Sequence, residues 1–331
     1  MIECCPQTEV TSILKNFQLS TFNLQPQCVP LQKFFQMNLR ETLRGTGVAI
    51  ITPFAKELSV DFDAVGKLLD YVIEKGVNYI VTLGTTGEAP VLTSEEKIAV
   101  INFTGERIAG RVPMVVGIGG NDTASVVRDL NRMPLDTAVA VLSASPYYNK
   151  PSQEGLFQHY RALAEASPKP VILYNVPGRT GRNIDAHTTI RLAKEVANIA
   201  GIKEASGDML QCMEILKERP DNFLVVSGDD ALALPQMACG MDGVISVAAN
   251  CFPAAFSDMI NHCMNNDLTD AVMINNKLMP AYQLMFSENN PAGAKAFLYE
   301  MKMMENVVRL PVVPLSAALH EKVKEYLAAN S

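Results

Sequence analysis

The sequence lacks several features that mark large classes of protein. No apolar run approaches the roughly 20 residues that cross a bilayer. Lysine and arginine form no clusters, and 28 basic residues against 35 acidic residues give a net charge of −7. A mildly acidic chain of this kind is not expected to bind nucleic acid or an anionic membrane. With 48% apolar and 19% charged residues, the 331-residue chain has the composition of a globular protein.

The seven cysteines form neither a disulfide framework nor a metal site by their spacing. Their number is odd, and no CxxC motif or Cys/His cluster has the spacing of metal ligands. Scattered cysteines are typical of reduced thiols in a cytosolic protein, so we expect a cytoplasmic location.

Residues 1–36 differ in pattern from the rest of the chain. They have no clean hydrophobic period and little charge, and they lack the basic start and apolar stretch of a secretory signal. The sequence from Met37 onwards is typical of the start of a protein. We predict that residues 1–36 are a disordered tail or a mispredicted start, in preference to a functional extension.

Eight short apolar runs alternate with amphipathic segments of helical length over residues 37–265. The runs are nearly continuous in Val, Ile, Ala and Leu, as parallel strands buried on both faces are. They cover 47–54, 79–84, 113–119, 138–145, 170–176, 199–205, 223–228 and 243–250. Eight strand–helix units predict an α/β fold of the (β/α)8 TIM-barrel type. An open doubly wound sheet is the alternative, although no GxGxxG motif opens the first unit.

Helices are predicted between the strands and after the last one. Among those between the strands are 61–76, 94–110 and 154–167. Ser94 is followed by two acidic residues, which predicts a helix start there without a full capping box. Beyond residue 265 the pattern is helical at 267–287, 291–305 and 315–329. We predict that residues 266–331 form C-terminal helices packed on the barrel.

The second predicted strand ends in GTTGE, residues 84–88, at the end of the barrel where chemistry is expected. Its glycines allow the backbone to approach a ligand closely, and Thr85 and Thr86 supply hydroxyls that donate and accept. Free backbone N–H groups in such a turn favour an anion. An ordinary turn between a strand and a helix is the alternative explanation.

Three other strand ends carry unusual residues. The fourth strand ends in SPYYN, residues 145–149, where two adjacent tyrosines cannot both point into a core. The fifth contains Tyr174, predicted to point into the barrel, and is followed by Arg179, which can hold a carboxylate through two hydrogen bonds. A structural tyrosine pair and a solvated cation are the alternatives. The seventh ends in SGDD, residues 227–230, whose two aspartates are expected to cap a turn.

Lys203 is the most informative residue, because it lies inside the sixth predicted strand. Its neighbours on the same face, Gly201 and Ala205, are small and leave room for a substrate. A lysine that points into a barrel is costly unless it is paired or neutral, and a neutral amine is a nucleophile. An ion pair with Glu204 or Asp229 is the structural alternative.

Together these motifs identify a family. GTTGE, SPYYN, YNVPGRTG, GIKEASG, SGDD and GVISV occur in the order and spacing of the dihydrodipicolinate synthase/N-acetylneuraminate lyase family, which the chain therefore resembles. The resemblance covers residues 43–331, and each motif is weak alone, whereas all six in register are specific. Within the family the chain looks most like the branch that joins pyruvate to aspartate semialdehyde in lysine and diaminopimelate biosynthesis.

The resemblance implies a Schiff-base mechanism without a metal or an organic cofactor. Lys203 forms the imine with the pyruvate carbonyl, and Tyr174 is the proton donor and acceptor. Thr85 and Tyr148 complete a proton relay, with Tyr148 reaching across from a neighbouring subunit. The implied assembly is a homotetramer built as a dimer of dimers.

The resemblance also implies the contacts that hold the two substrates. Thr86 and Ile245 contact pyruvate, with Gly228 nearby. Arg179 holds the carboxylate of the incoming aldehyde. The implied partners are therefore pyruvate and aspartate semialdehyde, with no nucleic acid and no membrane.

Two other functions remain open from the sequence. An N-acetylneuraminate or sugar-acid lyase runs the same imine chemistry in the direction of cleavage, although such lyases generally lack an arginine at the position of Arg179. A catalytically inactive barrel that binds a small acid is the second alternative. The presence of Lys203, Tyr174 and Thr85 argues against it.

Some members of this family are inhibited by lysine at a cleft beside the tyrosine pair. Tyr147 and Asn121 match that site, but the family's acidic position is Ser125 here. Its two histidine positions fall on Ser94 and Lys97. An ammonium ligand without a carboxylate partner is poorly compensated, so the resemblance predicts weak or absent inhibition by lysine.

Overall fold

The computed structural model describes residues 38–330 of the chain. The predicted tail or mispredicted start at residues 1–36 lies outside the described residues. In the described part, no helix combines the length and the apolar character needed to cross a membrane.

Eight parallel strands close into a barrel in chain order, and the last strand pairs with the first. The strands are β1 Gly45–Ala49, β2 Tyr79–Thr82, β3 Met114–Gly117, β4 Ala140–Ala144, β5 Val171–Asn175, β6 Ile199–Glu204, β7 Leu224–Ser227 and β8 Gly243–Ser246. The predicted strands and the predicted TIM barrel are confirmed. Each predicted run continues past the carboxyl end of its strand, because apolar residues also line the loops there. After β8, for example, Ala248–Asn250 form a 3₁₀ turn.

The helices surround the barrel and follow it. Those up to the end of the last strand–helix unit are α1 Leu39–Thr42, α2 Phe62–Glu74, α3 Ser94–Ile108, α4 Thr123–Arg132, α5 Gln153–Ala166, α6 Pro177–Thr180, α7 Ala186–Glu195, α8 Met209–Glu218, α9 Ala233–Ala238 and α10 Pro253–Met264. The C-terminal helices are α11 Leu268–Phe286, α12 Ala292–Glu300 and α13 Ala317–Ala329. The predicted helices are confirmed, and the one predicted at 291–305 ends earlier, at Glu300.

Helix α3 begins at Ser94 as expected, but its capping residue is Thr93. The Thr93 hydroxyl accepts a hydrogen bond from the Glu96 N–H at 3.2 Å, and the Glu96 carboxylate accepts from the Thr93 N–H at 2.9 Å. This reciprocal pair is a full capping box. The expectation of an incomplete capping box is wrong, because it took Ser94 as the capping residue, and the third residue after Ser94 is Lys97.

Apolar packing closes the amino-terminal end of the barrel. Leu39 and Leu43, on and just after α1, belong to the same buried cluster as Tyr79 at the start of β2. The seam between β8 and β1 is also tight, since a Cβ at Gly243 would lie 2.1 Å from the Gly45 carbonyl oxygen. These contacts fill the amino-terminal end of the barrel, and in the described residues the space for a ligand lies at the carboxyl ends of the strands.

The C-terminal helices pack against the barrel's last units. Helix α11 contacts α9 and α10, and α12 and α13 pack on α11. Buried side chains of α11 and α12 belong to the same core cluster as those of the barrel helices. The division of the chain at residue 265 into a barrel and an appendage stays a prediction.

Candidate active site

A cavity of about 550 Å³ opens at the carboxyl ends of the strands. Its floor and walls come from the ends of β1, β2 and β4–β6, from the loops that follow β2 and β5–β8, and from the C-terminal helices. The residues predicted for the site that line it are Thr85, Thr86, Tyr174, Arg179, Lys203 and Gly228. The structure therefore brings six of the eight predicted site residues together, although they come from distant parts of the sequence.

Lys203 lies inside the barrel with only 4% of its surface exposed. Strands β5 and β6 pair in a register that sets Tyr174 opposite Lys203. The Lys203 Nζ lies 4.4 Å from the centroid of the Tyr174 ring. Among residues 38–330, Lys203 has no carboxylate partner. An amine in this position is buried, unpaired and open to the cavity, which is the environment of a nucleophilic lysine.

The alternative of an ion pair between Lys203 and Glu204 or Asp229 is wrong. The Glu204 carboxylate lies behind the strand, where it accepts hydrogen bonds from Asn175 Nδ2 at 2.9 Å and Gln211 Nε2 at 3.0 Å. The side chains of neighbouring residues on a strand point to opposite faces, so Lys203 and Glu204 cannot meet. Asp229 is engaged in its own turn.

The two aspartates after β7 have different roles. The Asp229 carboxylate accepts from the N–H groups of Ala231 and Leu232 at 3.0 and 3.2 Å, so the predicted capped turn is confirmed for this residue. For Asp230 the expectation is wrong. Its buried carboxylate accepts from the N–H groups of Val247 and Ala248 at 3.1 and 2.9 Å and so holds the loop after β8.

Asp230 is also a buried carboxyl group with a shifted pKa. Burial raises the pKa of Asp230 to about 6, while hydrogen bonds to its carboxylate, including those from the two loop N–H groups, oppose the rise. The folded protein therefore keeps a proton on this residue at a pH where an exposed aspartate has already lost its own.

Gly228 has a steric role beside the lysine. A Cβ at this position would lie 2.8 Å from Lys203 Cε and 2.7 Å from the Ala205 Cβ. Any side chain at residue 228 would therefore push the stem of Lys203 out of its position. The absence of a side chain here keeps the amine free to face the cavity.

The GTTGE turn presents two hydroxyls and two backbone donors. The N–H groups of Gly87 and Glu88 donate to the carbonyls of Gly84 and Thr85 at 3.1 Å each, which closes the turn. Within residues 38–330, the N–H groups of Thr85 and Thr86 have no acceptor. Both threonines line the cavity, so these N–H groups are available to an anion there.

Arg179 is an exposed cation at the edge of the cavity. It lies in α6, directly after β5, and forms no ion pair in the part of the chain that the structure describes. Its guanidinium therefore remains available for a carboxylate of a ligand.

Tyr148 and Ile245 are the two predicted site residues that do not line the cavity. Ile245 is buried on β8 in the interior cluster that also contains Tyr174, and Val247, two residues on, lines the cavity in its place. Tyr148 is 89% exposed and has a left-handed backbone with φ of 72°. A tyrosine so exposed makes few contacts within its own chain.

The wall that α11 supplies could not be predicted from the sequence. Four residues at positions i, i+3, i+4 and i+7 of this helix line the cavity, namely Met279, Tyr282, Gln283 and Phe286. Asn290, just after the helix, also lines it, and its Nδ2 donates to Thr86 Oγ1 at 3.0 Å. The helical spacing indicates one face of a helix, but it does not indicate which surface that face covers.

The sequence profile of the dihydrodipicolinate synthetase family matches residues 42–330 of the chain. The chain belongs to this family. A 4-hydroxy-tetrahydrodipicolinate synthase of Parabacteroides distasonis is 48% identical over 285 residues, which cover 86% of this chain and 96% of the relative.

Solved structures of family members have the same fold. The chloride-inhibited dihydrodipicolinate synthase of Acinetobacter baumannii in complex with pyruvate has a TM-score of 0.84 and 41% identity, covering 87% of this chain and 98% of that one. The synthase of Cyanidioschyzon merolae with lysine bound also has a TM-score of 0.84, with 33% identity and coverage of 87% and 98%. The resemblance inferred from the six motifs is therefore confirmed.

The substitution Asp230→Asn tests the buried acid of this family member. Because the pKa of Asp230 is raised, the native state holds a proton between about pH 4 and 6 that the unfolded state has released, and the free energy of unfolding falls as pH rises through that window. An asparagine side chain does not titrate. We expect thermal unfolding across this range to show that the melting temperature of the variant increases relative to that of the wild type as pH rises. A difference in melting temperature that stays constant from about pH 4 to 7 would contradict the assignment.

Proposed function

We propose that the chain is a 4-hydroxy-tetrahydrodipicolinate synthase, a carbon–oxygen lyase of lysine and diaminopimelate biosynthesis. It condenses pyruvate with L-aspartate 4-semialdehyde through an imine on Lys203. The observation that carries this proposal is the buried and unpaired Lys203 beside Tyr174, at the floor of a cavity with a free arginine at its edge. The names of the curated relatives support the same reaction.

The chemistry follows from the properties of an amine in this cavity. The Lys203 amine adds to the keto carbon of pyruvate, and loss of water leaves a protonated imine. This imine is an electron sink, so the pyruvate methyl loses a proton and becomes an enamine carbon. The enamine carbon attacks the aldehyde carbon of the second substrate. The amino group of that substrate then displaces Lys203 from the imine carbon, which closes the ring and frees the enzyme.

Proton transfer is assigned to the hydroxyl groups around Lys203. Tyr174 carries protons to and from the reacting atoms, and Thr85 relays them away from the phenol. The neighbouring position of the Tyr174 ring and the place of Thr85 on the cavity wall support these roles. Tyr148 of a neighbouring subunit completes the relay.

We assign binding of the two substrate carboxylates to hydrogen-bond donors and to a cation. The N–H groups and hydroxyl of the threonine turn, Thr86 above all, hold the pyruvate carboxylate, and Gly228 bounds the space around its methyl group, with Ile245 buried behind the cavity wall. Arg179 binds the carboxylate of the aldehyde at the mouth of the cavity. A solved relative that contains pyruvate supports the class of the first substrate.

Steady-state assays separate this function from the alternatives. We expect consumption of pyruvate that depends on aspartate semialdehyde, and no release of pyruvate from N-acetylneuraminate. Rapid cleavage of N-acetylneuraminate would instead support the lyase, and no turnover of either substrate would support an inactive barrel. Arg179 favours the synthase, because it adds a site for a second carboxylate.

Substitution of Lys203 by Ala tests the role of the amine. Turnover is expected to fall by at least about 10³-fold, the scale seen when a covalent nucleophile is removed. Lys217→Ala is a matched control, because Lys217 is a solvent-exposed lysine with 81% of its side chain accessible. Circular dichroism of both variants checks the fold. A Lys203→Ala variant with more than about a tenth of the wild-type rate would rule out the Schiff base at this residue.

A homotetramer built as a dimer of dimers is proposed for the active protein. The high exposure of Tyr148 supports this, since the proposed relay needs its phenol to reach the site of a neighbouring subunit. The sedimentation coefficient and the specific activity should fall together on dilution, because the tetramer then dissociates to monomers. Full activity in a monomer would contradict the proposed role of Tyr148.

Lysine is proposed to inhibit this enzyme weakly or not at all. Two acidic residues close in sequence to Ser94 and Ser125 could replace the missing carboxylate, but both are already engaged: the Asp122 carboxylate accepts from the Ser125 N–H at 3.0 Å, and Glu95 pairs with Arg132 at 3.5 Å. They are thus poorly placed to replace the missing carboxylate. Initial rates measured against added lysine are expected to stay near the uninhibited value. Strong inhibition below a millimolar concentration would contradict this proposal and leave the catalytic assignment intact.

The reaction is proposed to take place in the cytoplasm, with small-molecule partners and no nucleic acid or membrane. Free thiols at Cys212, Cys239, Cys251 and Cys263 are consistent with a reducing compartment. Fractionation of source cells with an antibody to the chain tests this location, and recovery in a membrane or extracellular fraction would contradict it.

A further inference from the structure

The second buried lysine of the described chain is Lys295, on helix α12, and it is fully engaged. Its Nζ lies 2.6 Å from Glu88 Oε1, and the two side chains are 0% and 3% exposed. The same ammonium donates to the Val307 carbonyl at 2.8 Å. Burial lowers the pKa of Lys295 below its ordinary value, and the Glu88 carboxylate opposes that shift. Lys295 is therefore held as one half of a buried ion pair.

Glu88 is the last residue of the GTTGE turn, and it adopts an unusual backbone conformation. Its φ is 53°, in the left-handed region that few residues other than glycine occupy. Its second oxygen, Oε2, accepts a hydrogen bond from the Arg309 N–H at 3.0 Å. Both oxygens of the carboxylate thus connect the turn to the C-terminal segment.

The cluster around this pair is dense in charge and aromatic contact. The Lys295 Nζ lies 4.1 Å from the centroid of the Phe54 ring, and the Arg309 guanidinium carbon lies 4.3 Å from the same centroid. Arg309 also binds the Glu96 carboxylate at 2.5 Å. Two cations share one ring and are each balanced by their own carboxylate.

The residues before Glu88 are also held by side-chain hydrogen bonds. Asn290 Nδ2 donates to Thr86 Oγ1 at 3.0 Å, and Thr52 Oγ1 donates to the Gly87 carbonyl at 2.7 Å. Because Asn290 occupies a lone pair of the Thr86 oxygen, the hydroxyl proton of Thr86 remains free to donate to an acceptor in the cavity. Asn290 and Lys295 are five residues apart, so one segment holds the turn at two points.

Stability alone does not explain such a pair. The desolvation of two buried charges offsets most of their attraction, and apolar replacements of similar size are often neutral or stabilising. A buried ion pair does, however, fix the direction and distance between its two groups more narrowly than an apolar contact does. Its location at the end of the threonine turn indicates a role in geometry.

We propose that Glu88 and Lys295 are positioning residues that fix the threonine turn in the geometry that binds the pyruvate carboxylate. This inference rests on the proposed function of the same cavity. The C-terminal helices are then part of the pyruvate site, although neither Glu88 nor Lys295 touches the substrate.

The test uses the full-length chain with Glu88→Gln, Lys295→Met and the double variant that carries both changes. Each single change leaves one buried group without its partner and is expected to lower stability and to raise the KM for pyruvate by about tenfold or more. The KM for aspartate semialdehyde should stay within about twofold, because Arg179 lies on another loop. In the double variant, both members of the pair are neutral. Its thermal stability should return towards that of the wild type while its KM for pyruvate stays raised.

Glu300→Gln is the matched control. It also removes a carboxylate that joins C-terminal helices, since Glu300 on α12 pairs with His320 on α13 at 2.7 Å, but Glu300 shares no partner with Glu88. This variant should lose stability and keep a KM for pyruvate within about twofold of the wild-type value.

Two outcomes would overturn the role of the pair in an active enzyme. They are a double variant whose KM for pyruvate equals the wild-type value, and a rise in KM for Glu300→Gln as large as that for the pair. If the single variants do not fold, the double variant and the control still decide between these outcomes. A wild-type protein that does not turn over the two substrates contradicts the proposed function itself, and this inference with it.

Discussion

The parallel pairing of β5 with β6 is the constraint on which the rest of the site depends. It sets Tyr174 opposite Lys203 inside the barrel and, one residue on, Asn175 opposite Glu204 on the outside. Asn175 Nδ2 donates to the Glu204 carboxylate at 2.9 Å, so a buried hydrogen bond crosses the same pair of strands behind the reacting groups. A slip of one residue would turn Lys203 out of the cavity and Glu204 into it. The register and the chemistry are therefore specified together.

The described chain buries two lysines near this cavity, and their surroundings give them different roles. Lys203 has an aromatic ring and small neighbours but no carboxylate, so its amine is available to a carbonyl. Lys295 has a carboxylate and a backbone carbonyl within hydrogen-bonding distance and does not line the cavity. Burial alone does not identify a nucleophile. What separates the two is whether the ammonium already has a partner.

Much of the fold and part of the site could be predicted from the sequence, because the evidence for them is local. Apolar runs of β-strand length predict the strands, and their carboxyl ends predict where Thr85, Tyr174 and Lys203 meet. The role of Asp230 could not be predicted, since its partners are backbone groups of the loop after β8. The members of the Glu88–Lys295 pair lie far apart in the sequence, and no local pattern indicates that α12 returns to that turn. Contacts of this kind depend on tertiary packing, which one sequence does not reveal.

The amine of Lys203, and not that of Lys295, is proposed to form a covalent imine with pyruvate. Borohydride reduction of the full-length protein in the presence of pyruvate fixes any imine as a stable secondary amine. Digestion and mass spectrometry then locate it, with protein treated without pyruvate as the control. We expect a pyruvate-dependent mass increment on the peptide that contains Lys203 and none on the peptide that contains Lys295. An increment on Lys295, or no increment at all, would contradict the claim.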